Sequence, residues 1–130
     1  MTGTIQFQYD EENDVVIVTP HWKIETQADC DAWFKQYVDY FGLFHRKVDA
    51  IFVLDDFVVA SQIVTVWSEY RVRVMKSYIR ISYRVNSNSL VNIMVKASSF
   101  RYNAISQDAD SIEGAIEGIK AARLEVAASA

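Results

Sequence analysis

Between Gly42 and Asn86 the chain contains no glycine, proline or asparagine. The residues that usually punctuate turns are absent there, so the elements in this stretch must follow one another with little loop between them. It contains "DAIFVL", a short β-branched and aromatic run with both faces apolar, the pattern of a central strand in a parallel sheet. From Ser61, two patterns overlap. Ile63, Val66, Trp67, Tyr70 and Val74 fit one helical face, whereas "YRVRV" alternates as a strand would. Length decides between them, because a single strand from Ser61 to Val85 would be several times the usual length of about 5–6 residues. The segment reads as a helix from Ser61 to about Lys76 and a strand from Tyr78 to Val85. In that strand Ile79, Ile81, Tyr83 and Val85 share one face, and Arg80 and Arg84 the other.

The flanking segments extend this alternation. "IQFQY" alternates apolar and polar residues, "DEEND" supplies turn chemistry, and "VVIV" reads as a buried strand, which together make an initial hairpin. After "TPHWKIE", Thr26 is placed to cap a helix whose apolar residues Cys30, Trp33, Phe34, Tyr37, Val38 and Phe41 recur at three and four, with Gly42 as its stop. Leu90, Ile93, Met94 and Ala97 suggest a short helix, and "RYNAI" a last short strand. Asp110 and Glu113 then have capping-box spacing ahead of a helix with Ile112, Ala115, Ile116, Ile119 and Ala122 on one stripe. The order β β α β α β α β α implies an α/β fold: a mainly parallel central sheet with an initial hairpin and about four helices.

At 130 residues, with 51% hydrophobic and 23% charged residues, the chain is expected to form a single domain over 1–130. No apolar run approaches the roughly 18 residues of a membrane span, no secretory signal is visible, and the single Cys30 reads as core. These point to a cytoplasmic protein with no membrane partner. The net charge of −4 hides an uneven layout: residues 1–60 have 4 Lys/Arg against 11 Asp/Glu, residues 61–104 have 7 against 1, and residues 105–130 have 2 against 5. Within the basic middle, Arg71, Arg73 and Lys76 are candidate anion contacts. They do not form a narrow helical stripe, so no nucleic-acid partner is expected.

The stretches "DVVIVTPHWKIETQADCDAWFKQY" and "AIFVLDDFVVASQIVTVWSEY", within an element order running from about residue 5 to 125, resemble the STAS domain. That is the fold of the anti-sigma-factor antagonists and of the cytoplasmic tails of sulfate transporters. The chain also resembles the looser group of SpoIIAA-like bacterial proteins. The resemblance implies a non-enzymatic regulatory module that docks a protein partner. In antagonists a serine at the start of the second helix is phosphorylated by a partner kinase, and Ser61 falls on that serine, counting back from Tyr70. Val59 and Ala60 stand where the family pattern has Asp and Ser, and Gln62 where it has Gly. Ser61 is therefore a candidate phosphoacceptor, or a helix cap, or both, and an anti-sigma-like serine kinase is the implied partner.

Around Ser61, the carboxylates Asp55 and Asp56 fall at the carboxyl end of a parallel strand, where open α/β sheets place their crevices. With Phe57 and Gln62 they form the expected partner-docking loop. Trp22, Tyr40, Phe44 and Phe57, outside the helical stripe, are candidates for an exposed aromatic patch. No third ligand stands at metal spacing beside the two aspartates, and no Gly-rich phosphate loop, nucleophile elbow or Cys–His pairing appears, so neither a metal, a cofactor nor an enzymatic activity is expected. The basic middle and the aromatic surplus also fit an alternative, a small-ligand protein holding a lipid or an anion. A homodimer is compatible with the sequence.

Overall fold

The computed structural model describes residues 3–85 and 107–129. Strands β1 (Thr4–Asp10) and β2 (Val15–Ile24) form the antiparallel hairpin, in register from Thr4 opposite His21 to Asp10 opposite Val15. Its turn is held by the Asp10 carboxylate, which accepts from the Asn13 backbone N–H (3.2 Å) and Nδ2 (2.8 Å). There follow α1 (Gln27–Phe41), β3 (Val48–Val53), β4 (Phe57–Val59), α2 (Val64–Tyr78), β5 (Ile79–Val85), β6 (Gln107–Ala109) and α3 (Ile112–Ser129). The sheet runs β1-β2-β3-β5-β6, and every pairing except β1 with β2 is parallel.

The steps β2–α1–β3 and β3–α2–β5 go the same way across the sheet, and crossovers of one hand then place α1 and α2 on one face. That face carries the larger core, including Val18, Ile24, Trp33, Tyr37, Phe52 and Trp67. On the other face α3 packs Ala115 and Ile119 against Val15, Ile51 and Val85. Ile116 is partly buried there, and Ile112 is 37% exposed. The α3 helix is capped by Ser111, whose Oγ accepts the Gly114 N–H at 3.0 Å, in place of the expected Asp110–Glu113 box.

The cap of α1 is the one expected, since Thr26 Oγ1 accepts the Asp29 N–H at 3.1 Å. Asp29 closes the box by accepting the N–H groups of Thr26 and Glu25. Gly42 follows α1, but with a right-handed φ of −61°. The left-handed turn comes at His45 (φ 55°), after a 3-10 turn over Gly42–Phe44.

Strand β2 runs through Pro20 to Ile24, beyond the expected "VVIV". The β3–β4 column beside it explains how: β2 pairs with β3 as far as Val18, and with β4 from Trp22. The Trp22 N–H reaches across to Asp56 O (3.2 Å), so Pro20, two residues earlier, turns its missing donor to the same side, where the column is interrupted. The short strands β4 and β6 lie beyond the expected set. The expected Leu90–Ala97 helix and "RYNAI" strand lie outside the described residues, among which there are three α-helices.

Strand β5 also corrects the expected sharing of faces. The register with β3 moves from Val48–Ile79 to Ala50–Ser82, so Asp49 faces a bulge formed by Arg80 and Ile81. Ile79 therefore packs with the α1/α2 core, while Ile81, Tyr83 and Val85 pack toward α3. Asp49 holds the bulge, accepting from Arg80 Nε (2.9 Å), Arg80 Nη2 (2.6 Å) and the Ile81 N–H (3.2 Å). From α3, Arg123 Nε adds a bond to Asp49 Oδ2 (2.7 Å), and its other nitrogens donate to Asn13 O (2.9 Å) and Asp14 O (2.7 Å) in the hairpin turn.

Candidate functional site

The carboxyl end of β3 breaks into a turn at Leu54–Asp56 before the chain resumes as β4. Phe57 N–H donates to Leu54 O (3.3 Å), and Leu54 N–H donates to Val85 O (3.0 Å), pinning the turn to β5. Asp55 and Asp56 are exposed, as the docking-loop reading requires. Asp56 Oδ2 lies 2.8 Å from His21 Nδ1, tying the turn to β2. Phe57 does not belong to that surface. It is 1% exposed and packs against Trp67, because β4 is a strand beside β2 whose alternate residues point into the core. Trp22 is likewise buried, while Tyr40 and Phe44 are half-buried and pack with Phe7 and Tyr9, so the four expected aromatics do not form one exposed patch.

Ser61 is exposed at the start of a 3-10 turn, Ser61–Ile63, and α2 begins only at Val64. No side chain caps either the turn or α2, so the cap reading of Ser61 is overturned: the cap positions of the 3-10 turn and of α2 fall on Ala60 and Ile63, whose side chains have no acceptor. Its hydroxyl makes no hydrogen bond among the described residues. Gln62 is also exposed, with Nε2 3.4 Å from Glu25 O.

The three candidate anion contacts separate. Arg73 is exposed, its guanidinium 5.6 Å from the centre of the Tyr70 ring, and Lys76 is exposed as well. Arg71 is 7% exposed and turns inward, since it follows Trp67 by four residues and precedes Val74 by three on the buried stripe of α2. There it meets Arg84 of β5, 2% exposed, in a cavity of about 30 Å³ half of whose lining residues are aromatic, among them Trp33, Phe52, Phe57 and Trp67.

Burial, and then the neighbouring Arg84 charge, push Arg71 down to about 10, which leaves it positive at neutral pH. Burial pushes the Tyr37 phenol up, outweighing the opposing effects of the Trp33 N–H and Arg71, so Tyr37 stays neutral. Arg84 Nε donates to Asp108 Oδ1 at 2.5 Å, but its Nη1 is buried with no partner. Trp67 Nε1 is in the same condition, whereas Trp33 Nε1 acts on the Tyr37 phenol but falls short of hydrogen-bond geometry. A fourth unsatisfied atom, Ser82 Oγ, belongs to a residue lining a separate groove beside α3.

Arg84, Trp33 and Trp67 were not among the candidate residues that the sequence marked. A signal for Arg84 existed: β5 lies between β3 and β6 with helices over both faces, and such a strand has no wet face on which to place an arginine. Cys30 is core as expected, and burial, then Asp31 and Asp29, push its thiol up to about 11. Among the described residues no group of three or more His, Cys, Asp or Glu is arranged to hold a metal ion, and no helix is long and apolar enough to cross a membrane.

No protein-family model matches the sequence, and no curated protein is similar enough to count as a relative. Among solved structures, the fold is similar to that of an uncharacterized protein of the DUF3478 family with a SpoIIAA-like fold from Shewanella loihica PV-4. The TM-score is 0.63 over 89% of this chain and 92% of that one, at 5% sequence identity. The likeness is one of fold, and the fold of this chain is SpoIIAA-like.

Proposed function

We propose that the chain is a non-enzymatic regulatory module that docks a protein partner through Asp55, Asp56, Ser61 and Gln62, and that phosphorylation of Ser61 switches the docking. The observation that carries this reading is the Ser61 hydroxyl, which is exposed, caps no helix and makes no hydrogen bond among the described residues. A hydroxyl without a structural duty can be modified without loss of the fold. The uncapped start of α2 next to it supplies backbone N–H groups and the positive end of the helix dipole, both favourable to a phosphate. Such a group adds about −1.5 to −2 charges to an edge that already carries two aspartates, which changes its complementarity to a partner. By resemblance to the antagonists, the partner is an anti-sigma-like serine kinase.

The test is capture with immobilised wild type, Ser61→Ala and Ser61→Asp, together with phosphopeptide mapping of the natively isolated protein. The expected result is a partner retained by wild type and Ser61→Ala, lost by Ser61→Asp, and a phosphate on the Ser61 peptide. Equal recovery by all three proteins would refute the switch.

A further inference from the structure

Strand β1 stands at one end of the sheet order, so one of its two sides has no strand beside it among the described residues. The hydrogen-bonding phase of β2 fixes which residues face that side. The Trp22 N–H donates to Asp56 O, away from β1, and alternation turns Pro20, Val18 and Val16 the same way. Opposite these three stand Ile5, Phe7 and Tyr9, in pairs that exchange no backbone bonds, so each aims its own N–H and C=O at the open side.

An open edge normally carries a guard: a lysine, a proline, a bulge or a very short strand. At the other end of the order, β6 is three residues long and includes Asp108. In contrast, β1 is seven residues long, pairs with β2 without a bulge, and has no charged residue or proline from Thr4 to Tyr9. Its sequence is also self-complementary. Turned antiparallel about Phe7, a second β1 sets Phe7 against Phe7, Ile5 against Tyr9, Gln6 against Gln8 and Thr4 against Asp10. Apolar side chains then meet apolar ones, and no two charges of one sign stand opposite each other. On the α1 face of this edge, Phe7 stacks on Tyr40 and Tyr9 packs on Phe44. Tyr9 is still 37% exposed, and Leu43, in the turn with Phe44, is 71% exposed.

We propose that this edge is a dimerisation surface whose occupant is the β1 strand of a second copy of this chain, joining the two sheets into one across a two-fold axis at Phe7. The outward groups of Ile5, Phe7 and Tyr9 supply up to six backbone bonds, two for each facing pair. The axis is normal to the sheet, so the aromatic side chains of both copies lie on one face and cover one another. The pairing closes at two copies because the same edge serves both. It is independent of the Ser61 reading: the docking turn lies beyond β2, on the side away from β1.

The experiment is sedimentation equilibrium of the full chain from about 1 to 500 µM. Wild type is expected to show a monomer–dimer equilibrium with Kd of about 1–100 µM, as suits a small interface. Gln6 and Gln8 are exposed, and neither substitution removes a backbone bond to β2. The Gln6→Lys/Gln8→Lys protein puts lysines opposite each other across the axis and should weaken the dimer by about tenfold or more. The Gln6→Glu/Gln8→Glu protein should be weakened in the same way. An equimolar mixture of the two should recover the mass of a dimer, since each lysine then faces a glutamate; such rescue assigns the contact to this edge. The proposal is overturned if wild type stays monomeric to about 500 µM, if its mass rises beyond two copies, if either variant dimerises as wild type does, or if the mixture recovers no dimer.

Discussion

Replacing Asp49 by asparagine tests whether one carboxylate holds the two faces of the sheet together. Its side chain is 1% exposed and accepts four hydrogen bonds: two from Arg80, one from Arg123 and one from the Ile81 N–H of the β5 bulge. Asparagine has nearly the same shape but accepts through one oxygen only, so at least two bonds are lost and an amide NH₂ is turned toward a guanidinium. Breaking a fully buried ion pair costs about 3–5 kcal/mol. Here the partners are partly hydrated, with side chains 50% exposed for Arg80 and 26% for Arg123, which lowers the expectation to about 2–4 kcal/mol.

Urea unfolding followed by tryptophan fluorescence would show this as a lower midpoint with unchanged slope. The pH dependence supplies a second check. Burial raises the Asp49 pKa, but the bonds from Arg80 and Arg123 and their charges outweigh it, so the folded value lies below the ordinary one. The stabilisation is therefore fully present above the unfolded carboxyl pKa of about 3.9, and is lost as pH falls through the lower folded value. The Asp49→Asn variant should lose less stability than wild type on acidification below about pH 4. A loss under about 0.5 kcal/mol at neutral pH, with identical acid profiles, would refute the anchoring role.

Three further expectations concern single positions. Gly118→Ala would ordinarily favour a helix, yet a Cβ there would stand 2.4 Å from the Tyr83 ring, so the variant should lose about 1–3 kcal/mol in the same urea assay. Phe57→Ala should cost about 3–5 kcal/mol, as befits a core residue, and should lower the urea midpoint accordingly. Arg123→Met combined with Asp49→Asn should cost less than the two single losses added together, because both remove the same bond. Strict additivity in a double-mutant cycle would contradict that shared network.

The parts legible in the sequence were those governed by periodicity and by local caps. The hairpin, the Thr26 cap, the division of Ser61–Val85 into helix and strand, and the α3 stripe all followed from spacing. What escaped depends on contacts distant in sequence. β4 and β6 are three residues each, too short for any period to register, and exist because β2 and β5 offer them an edge. The bulge opposite Asp49 moves Ile79 to the other face, a consequence of pairing that alternation within one strand does not encode.

The candidate site was half legible for a related reason. Asp55, Asp56, Ser61 and Gln62 are exposed, as turn chemistry implies, but Phe57 and Arg71 are not. Charge was taken as a sign of exposure at Arg71 and Arg84, although the spacing from Trp67 to Arg71 already placed one guanidinium on the buried stripe.

The functional account depends on Ser61 having no structural task. Urea unfolding of Ser61→Ala measures this directly. With Ser61 capping neither the 3-10 turn nor α2, the stability should remain within about 0.3 kcal/mol of wild type. A loss of about 1–2 kcal/mol, the usual cost of removing an N-cap serine, would show that the hydroxyl holds the helix and would contradict the account.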